Sequence, residues 1–395
     1  MKILICNAGS TSLKFKLWDM PAYCVLAEGR VERVGSCDAI YSCRIGAYEE
    51  KRDGLHIPDY TAGVRLFLDS LTAPAAGAVA SLDEIAAVGF KAVLSKGYNG
   101  VHFLTEEVLA GMEAMMSVAP AHNGPYLEVI RVFEKLMPDA PRVGVFETAF
   151  HVTIPLERRV YPVPYEWYEQ YGVMRMGYHG ASHGYIAGKL SGKRRVISCH
   201  LGGSGSLCAI LDGKSVDNSF GLSLQAGIPH AQRVGDIDPY IIPYMLAQGL
   251  TMDEVLFGLG KNGGLKGLSG TSGDLRDVEA AIEAGSKRAK VALDVYVTGI
   301  VRYIGAYFLE LGGLDALAFT GGIGENSALV REMVLDRLTP LGVKFDRALN
   351  RACRGEAVLS TADSTASVHV IPANEEWMVV RSAYELLAAS REGGV

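Results

Sequence analysis

The hydrophobic pattern at the start of the chain predicts a β-hairpin. Lys2–Cys6 is a short apolar run of β-forming residues, and Lys14–Trp18 is a second such stretch. Gly9 and Ser10 lie between them, and glycine and serine are typical of tight turns. We therefore predict a buried strand at the N-terminus that pairs with the next strand through a short turn.

The same pattern occurs a second time, halfway along the chain. Val196–Asp212 repeats Ile3–Asp19 as an apolar run, a cysteine, a glycine three residues later, and a second apolar run that ends in aspartate. Cys199 follows Cys6 by 193 residues, and the glycine and the aspartate of the two stretches keep that spacing. An internal repeat of this kind predicts two similar halves, each opening with the same hairpin.

Further along the chain, strand patterns alternate with helical patterns, which predicts an α/β layer structure. Apolar residues at spacings of three and four predict helices over Thr61–Leu71, Thr105–Ser117, Leu127–Leu136, Ser182–Leu190 and Ala280–Leu311. Runs of β-forming residues predict strands within 24–60 and over Ile85–Val93, Arg142–Phe146, Ala316–Phe319 and Val368–Ile371. We expect Gly299 and Gly305 to interrupt the long helix, and a last helix to end near Ala389.

Length, charge and cysteine usage narrow the class of protein. A chain of 395 residues favours two domains over one core, and a net charge of −6 gives no electrostatic reason to expect nucleic acid or an anionic membrane as a partner. The seven cysteines include no CxxC pair, which predicts free thiols in a reducing compartment. We see neither a signal peptide nor an apolar stretch of about 20 residues, so we expect a cytoplasmic enzyme or binding protein.

Glycine-rich hairpins suit one kind of chemistry in particular. A turn of glycine, serine and threonine exposes backbone N–H groups, and glycine allows a ligand to approach the backbone closely. Successive N–H groups then form a concavity that binds anions. One such turn is more often only structural, but two copies in symmetric halves favour a pair of loops that hold a polyphosphate.

The motifs that accompany the two hairpins resemble those of the acetate kinase family, within the actin-like ATPase and sugar-kinase superfamily. They occur in the family's order over nearly the whole chain, at Asn7–Lys14, Thr148–His151, Gly177–His183, His200–Gly202, Arg233–Pro239, Ser272–Asp277, Gly322–Asn326 and Asn374–Glu376. The resemblance implies reversible transfer of a phosphoryl group from ATP to a small carboxylic acid, giving ADP and an acyl phosphate. It also implies magnesium, with manganese as the alternative, and a homodimer.

The fold implied by the resemblance is α/β, with two duplicated actin-like (ribonuclease H-like) domains and an interdomain cleft for ATP and substrate. The first domain would cover residues 1–150, with the C-terminal helix 375–395 packing back on it. The second, nucleotide-binding domain would cover residues 151–374.

Site residues follow from the resemblance, position by position. It implies catalytic roles for Glu147, His179 and Arg233, and a metal site at Asn7 and Glu375. It implies an acceptor site at Lys91, Val93, Ala121, Tyr178 and Leu224. It implies a nucleotide site at Lys14, His200, Leu201, Gly202, Gly203, Ser204, Asp274, Leu275, Arg276, Gly322, Ile323, Gly324, Glu325 and Asn326. Three other histidines, His122, His151 and His183, are expected to be structural.

These implied roles fit the physical needs of phosphoryl transfer. An arginine guanidinium offers planar, permanently charged donors to phosphoryl oxygens. Magnesium usually keeps several waters and takes only one or two protein oxygens. A carboxylate acceptor is already a nucleophile, so catalysis depends on positioning and on stabilising charge.

Departures from the family pattern concentrate at the acceptor site. Lys91 stands where the family has arginine, which keeps the charge but loses the bidentate geometry. Glu147 stands where the family has aspartate, and a displacement of about 1 Å at such a group can cost about 100-fold in rate. Ala121 replaces a leucine, Tyr178 replaces a phenylalanine, and His230 lies in a segment that differs throughout. The second hairpin has Gly203-Ser204 in place of Asn-Gly.

Three interpretations of these departures stay open. The first is a working kinase whose pocket suits a longer or substituted acid, with Tyr178 and His230 adding polar contacts. The second is a nucleotide-binding sensor or scaffold with little turnover. The third is a kinase of the same superfamily that acts on a hydroxyl acceptor, with Glu147 as the general base.

Overall fold

The computed structural model describes residues 1–74, 77–118 and 120–392, apart from the side chains of Pro120 and Ala121. The chain divides into two compact units. The first unit comprises Met1–Ala149 and Asn374–Val395, and the second comprises Phe150–Ala373. The acceptor-site prediction at Ala121 therefore falls outside the described side chains, although its backbone belongs to a helix.

The described residues form these strands, numbered along the chain: β1 Lys2–Gly9, β2 Ser12–Asp19, β3 Cys24–Glu32, β4 Ser36–Ile45, β5 Tyr48–Ile57, β6 Ile85–Phe90, β7 Val101–Phe103, β8 Arg142–Val145, β9 Arg195–His200, β10 Ser206–Leu211, β11 Lys214–Asn218, β12 Ala316–Thr320, β13 Ala357–Val358 and β14 Ser367–Val370.

They form these α-helices: α1 Tyr60–Leu71, α2 Glu106–Ala114, α3 Pro120–Leu136, α4 Leu156–Arg159, α5 Tyr165–Tyr171, α6 Gly180–Lys189, α7 Ile241–Ala247, α8 Met252–Gly260, α9 Gly264–Ser269, α10 Leu275–Glu283, α11 Lys287–Leu311, α12 Gly321–Asn326, α13 Ala328–Arg337, α14 Arg347–Ala352 and α15 Glu375–Glu392.

The sheet of the first unit has the order β5-β4-β3-β2-β1-β6-β8-β7. Strand β1 pairs antiparallel with β2 and parallel with β6. Gly9 faces Ser12 across the hairpin, so the turn consists of Ser10 and Thr11. The predicted short turn is present, but it lies one residue later than the predicted position at Gly9 and Ser10. On the other side Cys6 pairs with Phe90, and Lys91 follows directly after this strand end.

The sheet of the second unit has the order β11-β10-β9-β12-β14-β13 and repeats the arrangement around its central strand. Strand β9 pairs antiparallel with β10 and parallel with β12. His200 faces Ser206, so five residues, 201–205, form the connection. The prediction of a second hairpin is confirmed, but its turn is wider than the first because the glycine-rich segment has few residues that favour strand pairing.

Helix α11 crosses the core of the second unit without a break, so the predicted interruptions at Gly299 and Gly305 are wrong. Its buried residues recur at a spacing of four, at Ala292, Tyr296, Ile300 and Ile304. This packing outweighs the helix cost of about 1 kcal/mol for each glycine. The break lies earlier instead, between α10 and α11, where the Ser286 hydroxyl accepts a hydrogen bond from the Ala289 N–H.

By length and composition α11 could also cross a membrane, with a mean hydropathy of 1.3 over its most apolar window. The sequence analysis did not single out α11 as an apolar stretch, because charged residues interrupt its apolar run. A single such helix is weak support for a membrane span, because core helices pass the same test, and 39% of the window is buried.

The two glycines of α11 make a matched pair for testing this packing. A Cβ at position 299 would lie 2.8 Å from Cδ of Pro229, whereas a Cβ at position 305 would meet nothing within 4 Å. We expect Gly299→Ala to lower the free energy of unfolding by about 1–3 kcal/mol through overpacking. We expect Gly305→Ala to raise it by about 0.5–1 kcal/mol through helix propensity. Urea denaturation measures both, and equal effects would contradict the packing of Gly299.

Candidate active site

A buried ion-pair cluster lies in the first unit, at the end of β6. The Nζ atom of Lys91 is 2.7 Å from Oε1 of Glu147 and 2.5 Å from Oε2 of Glu375. The three side chains are 21%, 11% and 24% exposed, respectively. One cation is thus shared by two carboxylates in a largely desolvated place. Removing one of these charges would leave another buried without a partner, which is costly.

Backbone structure fixes the three groups of this cluster. Lys91 follows β6 directly, and Glu147 follows shortly after the neighbouring strand β8. The Glu147 N–H donates to the Ala92 carbonyl oxygen at 2.8 Å, which ties the two strand ends together. Glu375 is the first residue of α15, where the helix dipole favours an acid.

Electrostatics keep Lys91 charged despite its burial. Burial lowers the pKa of Lys91, but the carboxylates of Glu147 and Glu375 outweigh this and raise the pKa above its usual value. The cluster as a whole therefore carries an excess of one negative charge when both acids are ionised. Such a cluster attracts a further cation more readily than an anion.

Asn7 offers an oxygen that fits a metal. Its Oδ1 atom is buried and has no hydrogen-bond partner among the described residues, while its Nδ2 lies 3.4 Å from Oε1 of Glu376. A buried amide oxygen without a donor is costly unless something else satisfies it. Amide and carboxylate oxygens are the ligands that magnesium prefers, so Asn7 and Glu375 fit a divalent metal that keeps most of its waters.

The described residues contain no group of three or more histidine, cysteine, aspartate and glutamate side chains suited to hold a metal. Lys14, also in the first unit, faces Asn7 across the hairpin but is exposed. It lines an open groove with Lys16, Glu28 and Arg30.

In the second unit, hydrogen bonds hold the hairpin connection 201–205 from two sides. The Leu201 carbonyl oxygen accepts from the Ile323 N–H at 2.8 Å, and the Leu201 N–H donates to the Thr320 carbonyl oxygen at 2.8 Å. On the other side the Ala231 N–H donates to the Gly203 carbonyl oxygen at 3.0 Å. The loop is therefore fixed between the start of α12 and the segment that carries Arg233.

A cavity of about 660 Å³ opens beside this loop. Eight residues of the predicted nucleotide site line it: Gly202, Gly203, Asp274, Leu275, Arg276, Gly322, Ile323 and Asn326. The sequence missed six further lining residues: Ala231, Gln232, Ser272, Gly273, Glu279 and Ser327. Ser272 and Gly273 belong to the motif Ser272–Asp277 but were not assigned to the nucleotide. The other four lie within two residues of a motif, so extending each motif by two residues would have found them. The volume and the glycine-lined wall suit a nucleotide.

Other residues of the predicted nucleotide site do not line this cavity: Lys14, His200, Leu201, Ser204, Gly324 and Glu325. Glu325 forms hydrogen bonds with the backbone of the second unit instead. Its Oε1 accepts hydrogen bonds from the Gly321 N–H at 2.9 Å and the Ala373 N–H at 3.0 Å. The side chain of Leu201 is fully buried, and its backbone forms the two hydrogen bonds with Thr320 and Ile323 that hold the hairpin connection.

Arg233 presents a cation without a carboxylate partner. It forms no ion pair with any described residue, and its Nη2 donates to the Ser204 hydroxyl of the hairpin loop. Partial burial lowers the pKa of Arg233 relative to an exposed guanidinium. A partly desolvated guanidinium beside a glycine-rich loop is suited to bind an anion with several oxygens.

His179 lies next to this loop in an unusual backbone conformation. Its φ is 57°, in the left-handed region, and α6 begins at the following residue. Its ring packs on the ring of His200 with centroids 4.1 Å apart, and its Nδ1 is 2.9 Å from the Ser206 hydroxyl. A non-glycine residue at positive φ in a packed region commonly marks a functional position.

Two polar side chains that were expected to contact the acid form hydrogen bonds with the protein backbone instead. The hydroxyl of the buried Tyr178 donates to the Leu222 carbonyl oxygen at 2.6 Å. His230 is fully buried, accepts from the Gly205 N–H at 3.1 Å, and has its Nε2 3.2 Å from the Ala226 carbonyl oxygen. The polar groups expected to contact a substituted acid therefore bind backbone groups within the second unit.

Burial differs between the other two residues of the predicted acceptor site. Val93 is 5% exposed and lies two residues after Lys91 in the first unit. Leu224 is half-buried in the second unit.

Known proteins resemble this chain over nearly its whole length. A model described as the acetokinase family matches residues 2–381. An acetate kinase of Bacillus cytotoxicus is 42% identical over 398 residues, covering 98% of each chain.

Two solved structures are similar throughout. An acetate kinase of Porphyromonas gingivalis has a TM-score of 0.87 at 36% identity, covering 98% of this chain and 99% of that one. A propionate kinase of Francisella tularensis has a TM-score of 0.87 at 31% identity, covering 96% and 98%. This likeness confirms the predicted fold class, an α/β protein with a duplicated actin-like fold.

The ion pair of Lys91 with Glu147 can be tested by exchanging side-chain lengths. Arginine reaches further than lysine and aspartate is one methylene shorter than glutamate, so the two changes together conserve the combined reach. We expect Lys91→Arg and Glu147→Asp each to lower the free energy of unfolding by about 1–2 kcal/mol. In the double variant, a coupling of about 1–2 kcal/mol should recover about half of the summed loss.

Urea denaturation of the four proteins measures this coupling. The pair of Lys189 and Glu356, 2.9 Å apart at the surface, serves as the control. The same exchange there, Lys189→Arg and Glu356→Asp, should couple by less than about 0.5 kcal/mol. Additive losses at Lys91 and Glu147 would contradict the account of the buried cluster.

Proposed function

The chain belongs to the acetokinase family, and we propose that it phosphorylates a short-chain carboxylic acid in an acceptor pocket that differs from the usual pocket of that family. The resemblance stated from the motifs is confirmed, and so is the enzyme class, a phosphotransferase with a carboxylate acceptor. Enzymes of the family use ATP or ADP with a divalent metal, and their substrates are acetate-type carboxylates.

One observation carries the proposal: the Arg233 guanidinium has no ion-pair partner among the described residues and lies beside a glycine-rich loop. During transfer, negative charge spreads over the oxygens of the phosphoryl group. A fixed guanidinium can donate to two of these oxygens without reorganising. We assign the nucleotide to the neighbouring cavity, with Gly202, Gly203 and Gly322 close to its phosphates.

His179 is the second proposed stabiliser of the phosphoryl group. Its ring is held between the His200 ring and the Ser206 hydroxyl, so its orientation is fixed before any ligand binds. Preorganised donors stabilise developing charge more than mobile ones do. We infer that Nε2 of His179 donates a hydrogen bond to a phosphoryl oxygen.

For the metal we propose magnesium, with manganese as the alternative. Asn7 and Glu375 would hold it, since Asn7 supplies a buried oxygen without a described donor and Glu375 a carboxylate. When bound, the metal would neutralise charge on the nucleotide phosphates. Lys91 shares the Glu375 carboxylate, so we expect Lys91 and the metal to compete for it.

Lys91 and Glu147 are proposed to act on the acid. An ammonium group has three N–H donors, and Glu147 and Glu375 account for two of them at Lys91. When a divalent metal offsets the excess negative charge of the cluster, the third donor can orient an acceptor carboxylate. Glu147 then fixes the position of Lys91, and no general base is needed because the acceptor is already ionised.

The proposed difference in specificity rests on Ala121 and Tyr178. Alanine at position 121 leaves more room than the family's leucine, which favours propionate, butyrate or a substituted acid alongside acetate. One methylene in an apolar pocket changes binding by about 1–3 kcal/mol. The Tyr178 hydroxyl binds the Leu222 carbonyl oxygen, so we assign its ring, together with Val93 and Leu224, to the apolar wall.

Three further features are proposed. Assembly as a homodimer is proposed from the family resemblance, and a cytoplasmic location from the cysteine usage. The proposed domains cover residues 1–150 with 375–395 and residues 151–374, and each bound lies within one residue of that of a compact unit.

The proposal is tested by trapping acyl phosphates with hydroxylamine. Purified full-length protein is incubated with MgATP, hydroxylamine and a series of acids from acetate to butyrate, with a sample without acid as the control. We expect acid-dependent hydroxamate. Ala121→Leu should shift the ratio of kcat/KM values by about 10-fold or more towards acetate, since the larger side chain would fill space that a longer acyl chain needs. Tyr178→Phe should leave the order of the acids unchanged.

Several results would overturn the proposal. If no acid gave hydroxamate although ATP bound, the chain would be a sensor or scaffold. If an alcohol or a sugar stimulated ADP formation and acids did not, the acceptor would be a hydroxyl group. An unchanged order of acids in Ala121→Leu would remove the proposed basis of specificity while leaving the enzyme class intact.

A further inference from the structure

Behind His179, side chains of the second unit form a continuous hydrogen-bonded chain. Nδ1 of His179 is 2.9 Å from the Ser206 hydroxyl, which is 2.8 Å from Nε2 of His183. Nδ1 of His183 is in turn 2.9 Å from the Ser198 hydroxyl. These four side chains are called the histidine–serine chain below.

The elements of the fold keep these groups in place. His183 lies one turn after His179, and its N–H donates to the His179 carbonyl oxygen at 2.9 Å. Ser198 on β9 and Ser206 on β10 point to the same face of the sheet, because Ser206 pairs with His200 and Ser198 is two residues earlier. Helix α6 packs on this face, which brings His183 between the two hydroxyls.

Three members of the chain are fully buried. His183 and Ser198 are 0% exposed, as is Ser206. Water cannot replace a lost partner there, and an unsatisfied buried polar group costs about 1–3 kcal/mol. Each proton in the chain must therefore point at an acceptor.

His183 is neutral in this environment. Burial lowers the pKa of His183 well below its usual value, and the neighbouring His151 and His200 add to the effect. The rings that face it belong to His151, His179 and His200, at centroid distances of 5.8, 6.4 and 6.4 Å. A neutral imidazole has one N–H donor and one acceptor nitrogen. The hydrogen bonds on its two sides must therefore run in the same donor-to-acceptor direction along the histidine–serine chain.

Ser198 sets that direction. Among the described residues, the Ser198 hydroxyl has one hydrogen-bond partner, Nδ1 of His183. If His183 carried its proton on Nδ1, the Ser198 proton would be buried without an acceptor. Ser198 therefore donates to Nδ1, His183 donates from Nε2 to Ser206, and Ser206 donates to Nδ1 of His179.

We propose that Ser198, His183 and Ser206 are positioning residues that keep His179 in the tautomer with its proton on Nε2. In this form His179 is a hydrogen-bond donor on the side away from Ser206 without needing a positive charge. With the proton of His179 on Nδ1, every hydrogen bond of the histidine–serine chain would run in the opposite direction. The Ser198 hydroxyl proton would then be buried without an acceptor. The inference rests on the proposed role of His179 at the phosphoryl group and extends that role to residues that do not touch substrate.

The test reads the tautomer directly. Full-length protein labelled with ¹⁵N at histidine is studied by two-bond ¹⁵N–¹H correlation, and the His179 signals are assigned by their loss in His179→Gln. We expect wild type to show Nε2 protonated and Nδ1 unprotonated. Ser198→Ala and Ser206→Ala should both reduce the fraction of this tautomer, since each removes the donor that fixes the direction.

Kinetics with the preferred acid provide a second reading. In both variants kcat should fall about 5- to 10-fold, the size expected for one neutral hydrogen bond, while KM for ATP changes less than about twofold. The control is Ser215→Ala, which removes a buried hydroxyl 2.8 Å from Nδ1 of His151, outside the histidine–serine chain. It should leave the tautomer of His179 unchanged.

The inference would be overturned by a wild-type His179 protonated on Nδ1, or by both variants keeping the wild-type tautomer. Because two different serines are changed, failure of one variant to fold leaves the other as a test. A wild type with the expected tautomer, lost in the variants, but without acid-dependent turnover would support the inference and contradict the proposed function instead.

Discussion

The hydrogen bonds along the hairpin connection of the second unit are the constraint on which its chemistry depends. Three successive residues bind the segment 230–233, and Ser206, which follows them, contacts two histidines near the start of α6. Gly203 accepts from Ala231, Ser204 accepts from Arg233, Gly205 donates to His230, and Ser206 meets both His179 and His183. Residues remote in sequence are thereby fixed around one loop, and the proposed phosphoryl-binding groups need little rearrangement on binding.

The two units divide the charges between them. In the first unit, the Lys91 ammonium is shared by two carboxylates, so the local balance is negative and suits a metal. In the second unit, Arg233 has no described carboxylate partner, so the local balance is positive and suits phosphate oxygens. Carboxyl phosphorylation needs groups of both kinds, because the negative charge of the phosphates must be neutralised while the phosphoryl group moves.

Much of the fold could be predicted from the sequence because its signals are local. The repeated apolar runs identified both hairpins, and the spacing of apolar residues identified the longest helices, α1, α3, α11 and α15. It missed eight shorter helices of the described residues: α4, α5, α7, α8, α9, α12, α13 and α14. Position 299 shows the limit of this reasoning. Glycine at this position leaves room for Pro229, which is 70 residues earlier in the chain. Sequence reasoning treats a glycine as a helix breaker and cannot see this contact, so it predicted a break where the helix continues.

The candidate site shows the same limit. Motifs placed Arg233, His179 and the glycines of the cavity, since those residue types carry recognisable chemistry. They could not show that the Tyr178 hydroxyl binds the Leu222 carbonyl oxygen, or that Ala231 and Gln232 line the nucleotide cavity. Nor could they show that His183, expected to be only structural, is hydrogen-bonded through Ser206 to His179. Each of these depends on contacts between distant segments.

The division of charge between the two units is the central claim, and its most direct test is the rate of acyl phosphate formation as a function of Mg²⁺ concentration. Glu375→Gln should weaken metal binding, so excess Mg²⁺ should recover a substantial part of its rate. Arg233→Ala should lose the cation that binds phosphoryl oxygens, and no Mg²⁺ concentration should recover its rate. Equal recovery in both variants, or recovery in Arg233→Ala alone, would contradict the account.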